Sequence, residues 1–286
     1  MRTLLLLAPL LALACASSRT VPCVNAPTTP PTASGSATAT ATATATFRTR
    51  RALVIGNGNH ASLSALPNAV TEAESVHAAL RASGFEATLL TNATAERMRN
   101  AIAALEQEST PEDLVVLYYA GIGANDGQGG SLWFPTDAPE GVAALNTAVH
   151  GADVGRRFAR RARTTLIFST AARIEMRADA APGPAAQPVP VPARSRKPGI
   201  QLRDDDVNSI GGVLFVSACA PGEATLDDVG VRFGQTFARE VTAGATLTSL
   251  LTSLSQTVDA SGGRNHLWIE GSVVAPFVLR SPSASR

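Results

Sequence analysis

The stretch Leu114-Val115-Val116-Leu117-Tyr118-Tyr119-Ala120-Gly121-Ile122-Gly123 decides the fold. Its first six residues are apolar or aromatic at every position, so a strand formed by them must be buried on both faces. That is the signature of a central strand in a parallel sheet with helices on either side. A Gly-rich loop follows at the carboxyl end of the strand, where sheets of this kind hold their ligands.

Working outward, the same architecture repeats. Residues 52–55 are a second buried run, closed by Gly56-Asn57-Gly58. A helix begins around Asn68, carries Ala69, Ala73, Val76 and Leu80 on one face, and ends at Gly84. Residues 85–90 read as a strand, and Thr94 caps a helix whose inner face is Met98, Ala101, Ile102 and Leu105. After the central run, residues 131–134 are expected in an edge hairpin, 154–162 in a helix, 165–168 in a fourth strand and 213–216 in a fifth. A helix over 231–241 follows. Leu247, Leu250, Leu251, Leu254 and Val258 then form the clearest helical stripe in the chain, and residues 267–269 a last strand. Strands alternating with helices at this spacing imply an α/β fold of three layers, α/β/α, around a mostly parallel sheet of about six strands.

The rest of the 286-residue chain is of a different kind. Arg2 and the apolar residues 4–13 read as an export signal too short to span a bilayer. Ala12-Leu13-Ala14-Cys15 resembles a bacterial lipobox, which makes Cys15 the lipidation site; Ala12-x-Ala14 also fits an ordinary signal-peptidase site. Either reading puts the mature protein outside the cytoplasm, as a membrane-anchored lipoprotein or in secreted or periplasmic form. Residues 16–48 are Ala, Thr, Ser and Pro with almost nothing to bury, a disordered stalk that could hold a domain on the order of 50–100 Å from its anchor. The expected domain covers 49–280, interrupted by a Pro-rich exposed loop at 178–198, and 281–286 form a disordered tail.

Bulk properties exclude several functions. The net charge is +1, with both signs interspersed, which gives no reason to expect nucleic acid as a partner. The three cysteines, Cys15, Cys23 and Cys219, make no CxxC pair or Cys/His cluster, so neither a metal site nor a cofactor is expected. Gly56-x-Gly58-x-x-Ala61 formally matches a dinucleotide fingerprint, but Pro67 and a further loop separate it from its helix, so a tight turn is expected instead. Arg156, Arg157, Arg160, Arg161 and Arg163 would spread over more than one helix face, with Glu106, Glu108, Glu112 and Asp113 to balance them. His77, between Glu74 and Arg81, is expected on a solvated face, and His150 and His266 at element boundaries.

Four motifs then stand in a meaningful order: Arg51-Ala52-Leu53-Val54-Ile55-Gly56-Asn57 with Leu66-Pro67-Asn68-Ala69-Val70; Tyr118-Tyr119-Ala120-Gly121-Ile122-Gly123; Ser217-Ala218-Cys219-Ala220-Pro221-Gly222-Glu223; and Trp268-Ile269-Glu270-Gly271-Ser272. Together they resemble the caspase and metacaspase-like cysteine peptidases in their bacterial form, over residues 51–279. The resemblance implies the caspase-like fold, with a His after the third strand and a nucleophilic Cys after the fourth. Ile122 stands at the His position, and Ala172 at the Cys position in Ser169-Thr170-Ala171-Ala172-Arg173. Thr170 replaces the acid that helps the metacaspase-like branch bind basic residues, and Thr71-Glu72 replaces an Asn-Asp pair.

Covalent catalysis by this family needs a thiolate, and Ala has no heteroatom with which to attack. Loss of nucleophile and base together leaves little beyond binding. The expected function is therefore a pseudopeptidase: an extracytoplasmic module that binds a peptide or protein in an inherited pocket. Gly121, Gly123, Thr170, Arg173, Ser217, Cys219 and Pro221 are its expected lining, with no catalytic residue intact. Two alternatives stand beside it. One is an active peptidase whose nucleophile has moved to Cys219, served by His60; the other is a scaffold whose old pocket binds nothing.

Overall fold

Strand β1 (Arg50–Asn57) is the first element of the fold, and seven of its eight residues are buried. The computed structural model describes residues 46–127, 130–173, 212–273 and 277–280. The export signal, Cys15, Cys23, nearly all of the stalk, the 178–198 loop and the 281–286 tail lie outside them.

Helix α1 (Pro67–Ala82) starts with proline at its first position, where the missing N–H costs nothing. Strand β2 (Glu86–Thr91), helix α2 (Ala95–Glu108) and strand β3 (Leu114–Gly121) follow. The Thr94 side chain accepts from Arg97 N–H and caps α2 as expected. All eight residues of β3 are buried.

The first departure from the sequence reading comes next. Residues 123–125 leave the Gly-rich loop to form strand β4 (Gly123–Asn125), which pairs antiparallel with β5 (Ser131–Trp133). With β6 (Val149–His150) they make a separate three-stranded sheet, not an edge of the main one. Alternation is hard to see in three-residue strands, and the close approach of Gly123 to Leu132 O, 2.5 Å from where a Cβ would stand, is what the short hairpin requires.

Helix α3 (Gly151–Ala159) begins and ends three residues before the expected 154–162. Gly151 opens it because a side chain there would meet Phe215 at 3.0 Å. Strands β7 (Thr164–Ser169) and β8 (Gly212–Ser217), helices α4 (Asp227–Ala243) and α5 (Leu247–Asp259), and strand β9 (Trp268–Ser272) complete the fold.

The main sheet has the order β2-β1-β3-β7-β8-β9, parallel except for β9. Alternate residues feed two cores. Val54, Val116, Tyr118, Phe168 and Val216 face α1, α4 and α5, joined there by Phe233, Phe237, Leu250 and Leu254. Leu53, Val115, Leu117, Ile167 and Phe215 face α2 and α3, joined by Met98, Ile102 and Phe158. This is the three-layer α/β/α arrangement with a mostly parallel six-stranded sheet. Among the described residues no helix is long and apolar enough to cross a membrane.

Candidate functional site

The strand order puts the carboxyl ends of β3, β7 and β8 side by side, with Tyr119 opposite Ser169 and Ser169 opposite Ser217. Thr170 N–H donates to Tyr119 O and Ala218 N–H to Ser169 O, which carries the pairing one residue past the strands. Ile122 and Ala172 each lie three residues beyond the Tyr119–Ser169 pair. Their neighbours touch: a Cβ on Gly123 would stand 2.7 Å from Ala171 Cβ and 3.1 Å from Ala172 O. The two positions that the motifs align with a His and a Cys are therefore brought together at one sheet edge.

Ile122 is partly buried against the apolar cluster of Ala124, Leu132 and Phe134. Its carbonyl accepts from the Tyr119 hydroxyl at 2.8 Å and from Phe134 N–H at 3.0 Å. Gly121 has no room for a side chain, since its Cβ would meet the Tyr119 hydroxyl at 2.6 Å. Tyr119, stacked on Trp133 at 5.2 Å, thus uses its hydroxyl to clamp the turn that carries Ile122.

The expected pocket residues divide between the two faces of the sheet. Thr170 points to the α1–α4 side, where its hydroxyl donates to Glu72 Oε1 at 2.9 Å, and the Tyr118 hydroxyl donates to the same oxygen at 2.7 Å. Glu72 is buried, and desolvation pushes its carboxyl up to about 8, against the lowering effect of its two donors. Gly230 and Gly234 of α4 make room for it; a Cβ on Gly234 would lie 2.5 Å from Glu72 Cγ. The sequence motif marked Glu72 only as a substitution. The signal for its role was an acid at helical spacing between Ala69, Ala73 and Val76 facing a Gly-x-x-x-Gly pair, legible once α1 and α4 are known to pack together.

Arg173 turns to the α2–α3 side and is fully buried, as are Ser217 and Cys219. Its backbone is fixed to the β8–α4 loop, with Arg173 N–H donating to Glu223 O and Gly222 N–H to Arg173 O. Cys219 Sγ lies 3.3 Å from Ala171 O as donor, and burial pushes its thiol up. Pro221 is half-buried on the rim. His60, the proposed helper of Cys219, bonds through Nδ1 to Pro135 O at 3.1 Å, and its imidazole pKa is lowered by burial. His266 Nδ1 meets Glu223 Oε1 at 2.6 Å, while Glu223 Oε2 accepts from the backbone N–H of Ala220 and His266.

Other residues are placed as follows. Gly56 lies inside β1 rather than in the expected turn, and it and Gly58 let the strand run against α1, where a Cβ would meet Ala69 O or Leu66 O at 2.7 and 2.6 Å. His77 is not on a solvated face: it is half-buried and reaches Ala87 O at 3.1 Å, because α1 lies across the start of β2. Arg157 pairs with Glu106 and Arg156 with Asp153, while Arg160, Arg161 and Arg163 are exposed. Among the described residues no group of three His, Cys, Asp or Glu is arranged to hold a metal ion.

A family model described as a caspase domain matches residues 49–278. No curated protein matches the chain. Among solved structures, protein GSU0716 from Geobacter sulfurreducens is similar in fold, with a TM-score of 0.54 and 15% identity over 82% of this chain and 96% of that one. The family model spans both cores, the small sheet and the edge that carries Ile122 and Ala172, and on that match the chain belongs to the caspase-domain family.

Proposed function

We propose that this protein is a pseudopeptidase, a caspase-fold module that binds a peptide or protein without cleaving it. One observation carries the reading: Ile122 and Ala172, the residues that the motifs align with the family's His and Cys, can supply neither base nor nucleophile, and the one described thiol nearby, Cys219, is buried with its pKa raised. A buried protonated thiol is a poor nucleophile, and desolvation opposes formation of the thiolate. Glu72 supports the reading from the other face. As a largely neutral carboxyl held by Tyr118 and Thr170, it offers little to a basic ligand at neutral pH.

Burial of Thr170, Arg173, Ser217 and Cys219 favours contact on the rim, along residues 220–224 with His266 and Trp268. The same burial favours the scaffold reading, in which nothing binds. Fluorescence binding of an extended-peptide library to the full chain separates the two. Saturable binding weakened at least tenfold by His266→Ala supports the module; no binding at millimolar peptide supports the scaffold.

We further propose that the protein works outside the cytoplasm, anchored through Cys15, because a short apolar run and a small residue precede that cysteine. Mass spectrometry of the native N-terminus should find an acylated chain beginning at Cys15. An unmodified start at Ala16 or Ser17 would contradict the anchor, and a retained Met1 in the cytoplasm would contradict export.

A further inference from the structure

The amino end of the sheet, opposite Ile122 and Ala172, carries a group of arginines with no acid to balance them. Five arginines fall between residues 156 and 163, and two of them are neutralised along α3: Arg156 pairs with Asp153 and Arg157 with Glu106. Because α3 ends at Ala159, Arg160, Arg161 and Arg163 lie past its last residue, at the turn into β7. All three are exposed, and among the described residues none has an ion-pair partner.

Backbone hydrogen bonds align this turn with the point where the chain enters the domain. Arg163 N–H donates to Pro111 O, and Arg48 N–H donates to Glu112 O. Thr46, Phe47, Arg48, Glu112 and Arg163 accordingly line one open cleft of about 370 Å³. Glu112, the acid of this cleft, stands 3.7 Å from Arg48 with both side chains largely in water, a pair that contributes little. Its neighbour Asp113 is buried and held by Arg51.

Unpaired guanidiniums this close repel one another, and a surface that offers several anions at once relieves them together. Each arginine fork can take two oxygens of a phosphate. A single small anion satisfies one fork, whereas a layer of headgroups meets all three and Arg48 as well. Residues 16–45 join the domain at this same end, so an anchor at Cys15 would tether this face and not the opposite one.

We propose that the amino end of the sheet is a docking face for anionic phospholipid headgroups, with Arg48, Arg160, Arg161 and Arg163 as its contacts. The anchor reading at Cys15 gives this face its setting, but the contact itself needs no acyl chain. Docked in this way, the domain holds the carboxyl ends of β3, β7 and β8 about 20 Å above the membrane, six residues of β7 at about 3.3 Å each, where a peptide can reach them.

Co-sedimentation of the unacylated full chain with vesicles tests this. Phosphatidylcholine vesicles containing about 30% phosphatidylglycerol should bind it at least about tenfold more tightly than phosphatidylcholine alone, and high salt should abolish the preference. R160Q/R161Q/R163Q should lose at least about tenfold of that preference, taking roughly fivefold for each arginine. R97Q/R99Q/R264Q removes the same charge from exposed arginines at the opposite end of the sheet and should retain the preference. The export signal is the same in every variant, so its own partition into lipid cancels. Equal losses in the two triple variants, or no preference in the wild type, would overturn the docking face. Tighter binding to a DNA duplex at matched phosphate concentration would overturn lipid as its occupant. Should R160Q/R161Q/R163Q not fold, R161E alone should weaken the preference at least about fivefold, and an unchanged preference would overturn the face. Because the chain carries no acyl group in this assay, failure of the anchor at Cys15 would leave the result as it is.

Discussion

Glu72 shows how one residue can be buried at a cost and still belong. Its Oε1 accepts from Tyr118 and Thr170, leaving Oε2 to carry the proton that desolvation retains up to about pH 8. The folded state therefore holds a proton that the unfolded chain releases near pH 4.5. Because the folded pKa is raised, this group's contribution is full below about 4.5, falls as pH rises and levels off above about 8. The loss is on the order of 3–5 kcal/mol over that window, taking about 1.4 kcal/mol for each pH unit between the two values. Urea denaturation at pH 5, 6.5 and 8 should show the decline, and Glu72→Gln, whose amide oxygen can accept both bonds, should flatten that part of the profile. Parallel profiles for the two proteins would mean that Glu72 is ionised in the fold. The position of Glu72 could be read in the sequence, but its state could not, since a buried carboxyl is defined by Tyr118 and Thr170, 46 and 98 residues away.

At the scale of elements, the α1–α4 contact depends on two glycines that look alike and act differently. Gly→Ala inside a helix ordinarily stabilises by about 0.5–1 kcal/mol. At Gly230 the new Cβ meets nothing nearer than Glu72 Oε2 at 3.5 Å, so Gly230→Ala should gain about that much. At Gly234 it would lie 2.5 Å from Glu72 Cγ and 3.3 Å from the Tyr118 hydroxyl, so Gly234→Ala should instead cost about 1–3 kcal/mol. Opposite signs in thermal unfolding are the expected result; a gain at both positions would show that Glu72 can move aside freely. The long elements were legible because their pattern is strong: the first six of the eight residues of β3 and the Leu247–Val258 stripe of α5 needed no tertiary information. The sequence pattern leaves residues 123–125 in a loop and 131–134 in an edge hairpin, whereas β4 and β5 pair with each other in a separate sheet. Three residues hold too little pattern to say which partner they choose, and that choice is made by Tyr119, Trp133 and Gly123 packing over the end of β3.

For the whole molecule, the topology gathers at one edge what the chain scatters. Ile122, Ala172 and the 217–223 loop come together because β3, β7 and β8 are parallel neighbours, and each leaves the sheet at the same end. The motifs had already grouped Ile122, Ala172 and the 217–223 loop in one candidate site from the sequence. What lies beneath them could not be foreseen, because it depends on which face each side chain takes: Thr170 goes to Glu72, Arg173 to Phe215 and Trp268, and Cys219 into the floor. On this account the fold keeps the family's frame and has lost its chemistry. The loss should not be repaired by Ile122→His alone, since Ala172 would still supply no nucleophile. The most direct measurement is hydrolysis of a peptide library, with basic, acidic and uncharged residues before the scissile bond, by the purified full chain beside a Cys219→Ser variant. The account predicts no turnover above background for either protein. Turnover by the wild type that disappears in Cys219→Ser would contradict it and place a working nucleophile in the floor of the site.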